Sequence, residues 1–162
     1  MIRLRPYAPG DRAAVKTVFY RAVHEGSAGH YTAAQRAAWA PDPTVDLGQP
    51  DRLAGQFCLL SERYGQITGF MSLCDDGYLD MAFVLPEVRG KGHAAALYDA
   101  ILAEAQRRAL PRLTAHASLL ARPFFARRGW SVMQTEDHPV GPLTLRRFAM
   151  QILLPAAPGP QV

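Results

Sequence analysis

The sequence predicts an α+β fold in which helices flank a mixed, mostly antiparallel central sheet. Runs of alternating apolar and polar residues cluster in the middle and at the end of the chain, whereas helical periodicity marks one long helix and several short ones. The resulting order is strand, two helices, three strands, long helix, strand, short helix, two strands, with no internal repeat. A length of 162 residues, 49% apolar and 20% charged, suits one domain whose core comes from burial.

Residues 2–5 alternate as a short strand, and Pro9-Gly10-Asp11 offers a turn with Asp11 as helix N-cap. Ala14, Val15, Val18, Phe19, Ala22 and Val23 then recur at helical spacing, and Gly26 and Gly29 break the helix. A second short helix begins at Thr32, whose side chain can cap it, and stops before Pro41. Tyr31, Gln35 and Trp39, four apart, fall on one helical face. Residues 41–56 are rich in Pro, Gly and Asp and read as connection, with one helical turn around 51–54.

Strands at 57–62, 66–74 and 78–84, separated by turns at Gly65 and Asp75-Asp76-Gly77, read as an antiparallel meander. The spacing of Ala94, Leu97, Tyr98, Ile101, Leu102 and Ala105 predicts a helix over 92–109, with Pro111 beyond its end. A strand at 113–118, a short helix at 122–128 ended by Gly129, and strands at 130–135 and 145–153 complete one domain over 1–154. The tail 155–162 is expected to be disordered.

Eighteen Lys and Arg against fourteen Asp and Glu give +4, which favours anionic ligands without the dense basic stripe of a nucleic-acid binder. The pairs Arg107-Arg108, Arg127-Arg128 and Arg146-Arg147 read as solvated faces. Cys58 and Cys74 belong to no Cys/His cluster, so neither a metal site nor a disulfide framework is expected, and a reducing cytoplasm fits. No leader-like apolar core and no stretch of ~20 apolar residues point to a membrane.

The chemistry concentrates in Val84-Leu85-Pro86-Glu87-Val88-Arg89-Gly90-Lys91-Gly92-His93-Ala94, where a strand enters a glycine-containing loop that opens the long helix. Unpartnered N–H groups at a helix N-terminus, at the positive end of its dipole, can hold a pyrophosphate. Gly90 and Gly92 remove side chains that would block the approach, Arg89 and Lys91 add charge, and His93 and Ala94 open the helix. The alternative is a solvent-exposed turn before a helix. The loop is neither GxxxxGK followed by Ser or Thr nor GxGxxG, so NTP hydrolysis and NAD binding lose support.

Arg89, Gly92 and Ala94 match in register the signature of the GNAT (GCN5-related N-acetyltransferase) superfamily, which the segment resembles. The run 121–130, with Phe124-Phe125, a spacer, Gly129 and Trp130, resembles that family's second conserved region. The likeness extends over residues 2–153 and implies a GNAT-like three-layer fold that uses acetyl-CoA as cosubstrate and no metal. It also implies that the strand over 78–84 splays from the one over 113–118, with the pantetheine arm between them against Phe83 and Val84. Phe124 and Phe125 occupy the family's aromatic pair. Many relatives carry at the second of these a Tyr that protonates the departing thiolate, and Phe125 has no proton to give.

Ser118 stands where many relatives have Asn, and its hydroxyl could bind the cofactor, pass a proton through water, or simply end a strand. Asp80, alternating with Ala82 and Val84, is the candidate general base or ammonium ligand; the alternative is a strand-edge carboxylate facing water. The resemblance places His24, Glu25, His30 and Tyr31 at the acceptor wall, with His24 and Tyr31 as substrate contacts; structural pairing is the other reading of each. His116 shares the alternation of Ser118 and is held in reserve, and His138 lies in a loop the sequence does not locate.

The expected activity is transfer of an acetyl group to a primary amine of a small molecule by direct attack, since neither cysteine has a nearby His partner. A non-catalytic acyl-CoA-binding regulatory module and a protein or peptide N-acetyltransferase are the alternatives. Dimerisation through the C-terminal strands stays open.

Overall fold

In the computed structural model, which describes residues 1–42 and 50–155, seven strands and four α-helices follow the expected order. β1 (Arg3–Pro6), β2 (Phe57–Arg63), β3 (Gln66–Leu73) and β4 (Leu79–Val84) pair antiparallel in that order. β5 (Arg112–Ser118), β6 (Ser131–Val140) and β7 (Leu143–Leu153) form a second antiparallel sheet, ordered β5-β7-β6. The sheets meet at one parallel bridge, Tyr78 to Thr114, where the Thr114 N–H donates to the Gly77 carbonyl at 3.1 Å. The single mixed sheet expected is thus two sheets joined at one point. Beyond it β4 and β5 diverge into a wedge walled by Ala82, Ala115 and Ala117.

Alternation on the first sheet sets the layers. Leu59 and Met71, opposite each other on β2 and β3, face α3 (His93–Arg107), whose Leu97, Tyr98, Ile101 and Ala105 are buried against them. Their neighbours Leu60 and Phe70 face the other way and meet Val15 and Val18 of α1 (Arg12–Arg21). A period of two in the strands and of 3.6 in the helices therefore yields a helix-sheet-helix sandwich. Burying each large side chain contributes about 1.5–3 kcal/mol, which is why α3 is the most legible element.

The local details depart from expectation in places. Asp11 precedes α1 but does not cap it: its carboxylate accepts two hydrogen bonds from Arg5 at 2.8 Å and one from the Ala8 N–H at 2.9 Å. A charged partner outcompetes the helix amides. The first helix widens into a π turn over Ala22–Gly26 and ends there, at the glycine expected to break it. α2 (Ala33–Trp39) is capped by Thr32, reciprocated by Gln35, but Tyr31 lies before the cap rather than on the helix. α4 (Arg122–Ala126) is short and ends before Gly129.

The last hairpin is longer than the patterns at 130–135 and 145–153 suggest, turning at Gly141-Pro142. β6 is an edge strand largely exposed to water, so its alternation is weak and Pro139 is tolerated. Residues 43–49 of the connection and 156–162 of the tail lie outside the described residues, and with them the disorder expected of the tail. Among the described residues no helix is long and apolar enough to cross a membrane.

Candidate active site

The loop from β4 to α3 takes its shape from two glycines. Gly90 and Gly92 have φ of +75° and +89°, the left-handed region that other residues enter at a cost of about 1–2 kcal/mol. A Cβ at Gly90 would meet no atom and one at Gly92 only Ile2 Cδ1 at 3.8 Å, so in the protein alone the backbone, not crowding, requires glycine. Gly92 is the N-cap of α3, and its carbonyl accepts the Ala96 N–H at 3.0 Å. The first N–H groups of the helix, His93 to Ala95, are left without intrahelical partners.

Arg89 donates to the Gly26 carbonyl at 2.9 Å, tying the loop to the π turn, and Lys91 is exposed and stands off the cleft wall. The His93 ring, expected near cofactor, turns the other way: it is 1% exposed, with Nδ1 2.8 Å from Thr68 Oγ1, itself 2.9 Å from Ser61 Oγ. Only the His93 main chain faces the loop. Burial holds the ring below the usual histidine value, and Arg63 and Lys91 push it the same way. This buried polar chain is invisible in the sequence because Ser61 and Thr68 sit in runs that read as ordinary strand.

A cleft of about 360 Å³ runs from this loop along the wedge. Val84, Phe83 and Ala94 wall one side, and Ser118, Phe124 and Phe125 the other. Phe125 is 2% exposed and packs on Trp130 with ring centroids 4.8 Å apart. Ser118 Oγ accepts the Ala121 N–H at 3.1 Å, so the hydroxyl organises the turn into α4 while facing the cleft. Arg127 and Arg128, read from the sequence as a solvated pair, also line the cleft, with the Arg128 guanidinium 3.7 Å from the Phe124 ring centre. Stacking across the α4 turn fixes that position, which charge counting does not show.

A second chamber, about 610 Å³, opens on the opposite side, lined by rings of Tyr7, Phe19, Trp39, Tyr78 and Phe83. Phe83, Trp39 and Ser118 wall both cavities, so they adjoin at the wedge. Asp80 reaches the chamber, but its side chain is 3% exposed and accepts hydrogen bonds from Arg52 at 2.7 and 2.5 Å and from Gln56 at 2.8 Å. The expected general base is instead the anchor of Arg52. His24 does not reach the chamber wall: Nε2 is 2.7 Å from the Ala40 carbonyl and the ring stacks on Tyr20. Tyr31 lends its ring to the chamber, but its hydroxyl donates to the Arg146 carbonyl at 2.6 Å and accepts the Leu119 N–H at 2.9 Å, tying the end of β5 to β7 within the second sheet.

His116 and His138 both line the chamber, on β5 and β6. They share one face of the second sheet with Ser118, Arg147 and Leu145, as the cross-strand register requires.

Residues 48–144 match the family description "Acetyltransferase (GNAT) domain". Over 136 residues, 83% of this chain and 85% of the other, the sequence is 32% identical to the uncharacterized N-acetyltransferase YafP of Escherichia coli K12. The chain belongs to the GNAT acetyltransferase family. It is thereby an acetyl-CoA-dependent acyltransferase, as the loop and aromatic segments imply. A GCN5-related N-acetyltransferase from Rhodopseudomonas palustris superposes with a TM-score of 0.85 at 32% identity, covering 94% of this chain and 95% of that one. The fold also matches the PaiA N-acetyltransferase of Thermoplasma acidophilum, solved with coenzyme A, at a TM-score of 0.74 and 16% identity over 95% and 99% of the chains.

Within this GNAT fold the cysteines offer no acyl carrier. Burial pushes the Cys58 thiol up to about 12, and Cys74 is raised for the same reason, so neither supplies a thiolate near neutrality.

Proposed function

We propose that the protein moves the acetyl group of acetyl-CoA to a primary amine of a small molecule that carries an aromatic or apolar body. The observation that supports this most is the meeting of the loop-side cleft with an aromatic chamber at Phe83, Trp39 and Ser118. The cleft suits the cosubstrate part by part. N–H groups at the start of α3, with Arg89, Gly90, Lys91 and Gly92 around them, fit the pyrophosphate. The edge of β4 that faces β5 has no strand partner past the joint, so the main-chain groups of Val84, which alternate with those of Leu85 bonded to Thr68 of β3, are free to meet pantetheine amides, while Phe83 offers its ring. Phe124, Phe125 and Ala94 give the arm apolar walls, and Arg127 and Arg128 suit the nucleotide end.

Acetyl-CoA supplies an activated carbonyl whose sulfur leaves as a thiolate. The protein positions the acceptor amine beside that carbonyl and excludes water around it. With Phe125 unable to donate a proton, the Ser118 hydroxyl, at the junction of the cavities, is the donor in reach of the sulfur, directly or through water. A thiolate is stable enough near neutral pH for transfer to proceed with weak assistance. Five partly buried rings in the chamber favour a flat or apolar acceptor, with Tyr31 as a fixed wall.

Release of CoA, followed with phenethylamine, tryptamine, putrescine and a short peptide as acceptors, tests the reading. The aromatic amines should exceed putrescine in kcat/KM by about tenfold, the worth of one good aromatic contact. Preference for the peptide would shift the assignment to a protein acceptor, and no turnover with any amine would favour an acyl-CoA-binding module.

A further inference from the structure

We propose that His116, acting through the Tyr78 hydroxyl, takes the proton from the acceptor's ammonium group and so frees the amine that attacks the thioester. The inference rests on the acetyl-transfer reading and supplies the proton acceptor that Asp80, held by Arg52 and Gln56, does not. His116 Nδ1 lies 2.8 Å from the Tyr78 hydroxyl, and both residues wall the acceptor chamber. Tyr78 sits at the joint of the sheets, where the wedge begins. His116 precedes Ser118 by two residues on the same strand face, which sets it about 7 Å from the cavity junction.

The surroundings choose the tautomer. Glu136 Oε2 is 3.8 Å from His116 Nε2, and Arg147 holds that carboxylate at 2.9 Å. A proton on Nε2 faces the carboxylate, which leaves Nδ1 to accept the Tyr78 O–H. Tyr78 then passes its proton to Nδ1 as its oxygen receives one from the ammonium. The amine becomes neutral and His116 becomes an imidazolium opposite Glu136. The amine nitrogen bonds the carbonyl carbon, the carbon–sulfur bond breaks, the second amine proton ends on sulfur, and His116 returns its proton to solvent.

Charged groups facing His116 are Asp80 across the wedge, Glu136 and His138 from β6, and Arg147 from β7. Burial first, then Arg147 and His138, hold the ring below the usual histidine value against the pull of Glu136, so it is neutral at pH 7. Burial keeps the Tyr78 phenol protonated. The same two residues could instead serve as a static wall, and the test separates these roles.

Imidazole nitrogen resonances of the CoA-saturated full chain, assigned with His116→Gln, should show a neutral Nε2–H ring at pH 7 that titrates below 6.5. Tyr78→Phe should remove the hydrogen bond at Nδ1. With phenethylamine and acetyl-CoA, His116→Gln should lower kcat about 100-fold, leave the KM for acetyl-CoA unchanged, and abolish the acidic limb of the pH profile. A full-rate His116→Gln enzyme, or a retained acidic limb, overturns the proposal. If the wild type acetylates no amine, the transfer reading fails by itself, and a cationic or Nδ1–H His116 at pH 7 overturns this one. Retained stabilisation of His116→Gln by acetyl-CoA certifies its fold.

Discussion

The Ser118 hydroxyl accepts the Ala121 N–H and also faces the junction of cleft and chamber, so its removal should register twice. Ser118→Ala should cost about 1 kcal/mol of stability, the worth of one acceptor lost to a partly buried amide. It should also slow CoA release about tenfold at saturating substrate, less than the usual ~10²–10⁴-fold general-acid effect because a thiolate leaves with little help. Thermal unfolding and steady-state kinetics on one preparation check both, and an unchanged rate would leave Ser118 a turn-forming residue. Asp80→Asn should loosen Arg52 and raise the KM of the acceptor with kcat little changed, the reverse of what loss of a general base would do. His93 gives a pH signature. Its ring is buried neutral with a lowered pKa, so the folded state refuses a proton that the unfolded state takes up below about pH 6.5. Stability should therefore be full above pH 6.5 and fall as the pH drops through that value. His93→Gln, which can still pair with Thr68, should flatten the melting temperature between pH 7 and 5.5, whereas an equally steep fall would assign the slope to His116.

At the scale of elements, the start of α3 carries the heaviest prediction. Gly92→Glu adds strain at φ +89° and a carboxylate where an anion is meant to sit, so it should abolish acetyl-CoA binding by calorimetry while the fold persists. Undiminished affinity would remove the loop from the site. The same elements show where sequence reading works. α3 was legible because its apolar face repeats at 3.6 residues and four of those residues are buried on one sheet. The capping of α2 is legible because Thr32, whose hydroxyl can accept from a first-turn amide, stands at its start. The hairpin of β6 and β7 was not, because an exposed edge strand needs no alternation. The partners of Asp11, Asp80 and His24 are not legible for a common reason: Arg5, Arg52 and the Ala40 carbonyl come from other segments, and long-range pairing leaves no local pattern.

Across the whole molecule, the architecture follows from alternation in the strands of the first sheet, which sends Leu59 and Met71 to α3 and Leu60 and Phe70 to α1. What alternation does not reveal is that, among the described residues, the two sheets are bridged at Tyr78, just before β4, and Thr114 of β5. The wedge beyond that point brings the N-terminus of α3, an unpaired strand edge and an aromatic chamber into line, and the account stands on that line. Thermal unfolding with and without saturating acetyl-CoA tests it most directly. A cosubstrate present at 100 times its dissociation constant adds about 2.7 kcal/mol, which in a chain of this size raises the midpoint by about 5–10 °C. The account predicts that rise with acetyl-CoA and its absence with ATP or NAD; no rise, or an equal rise with all three, would contradict it.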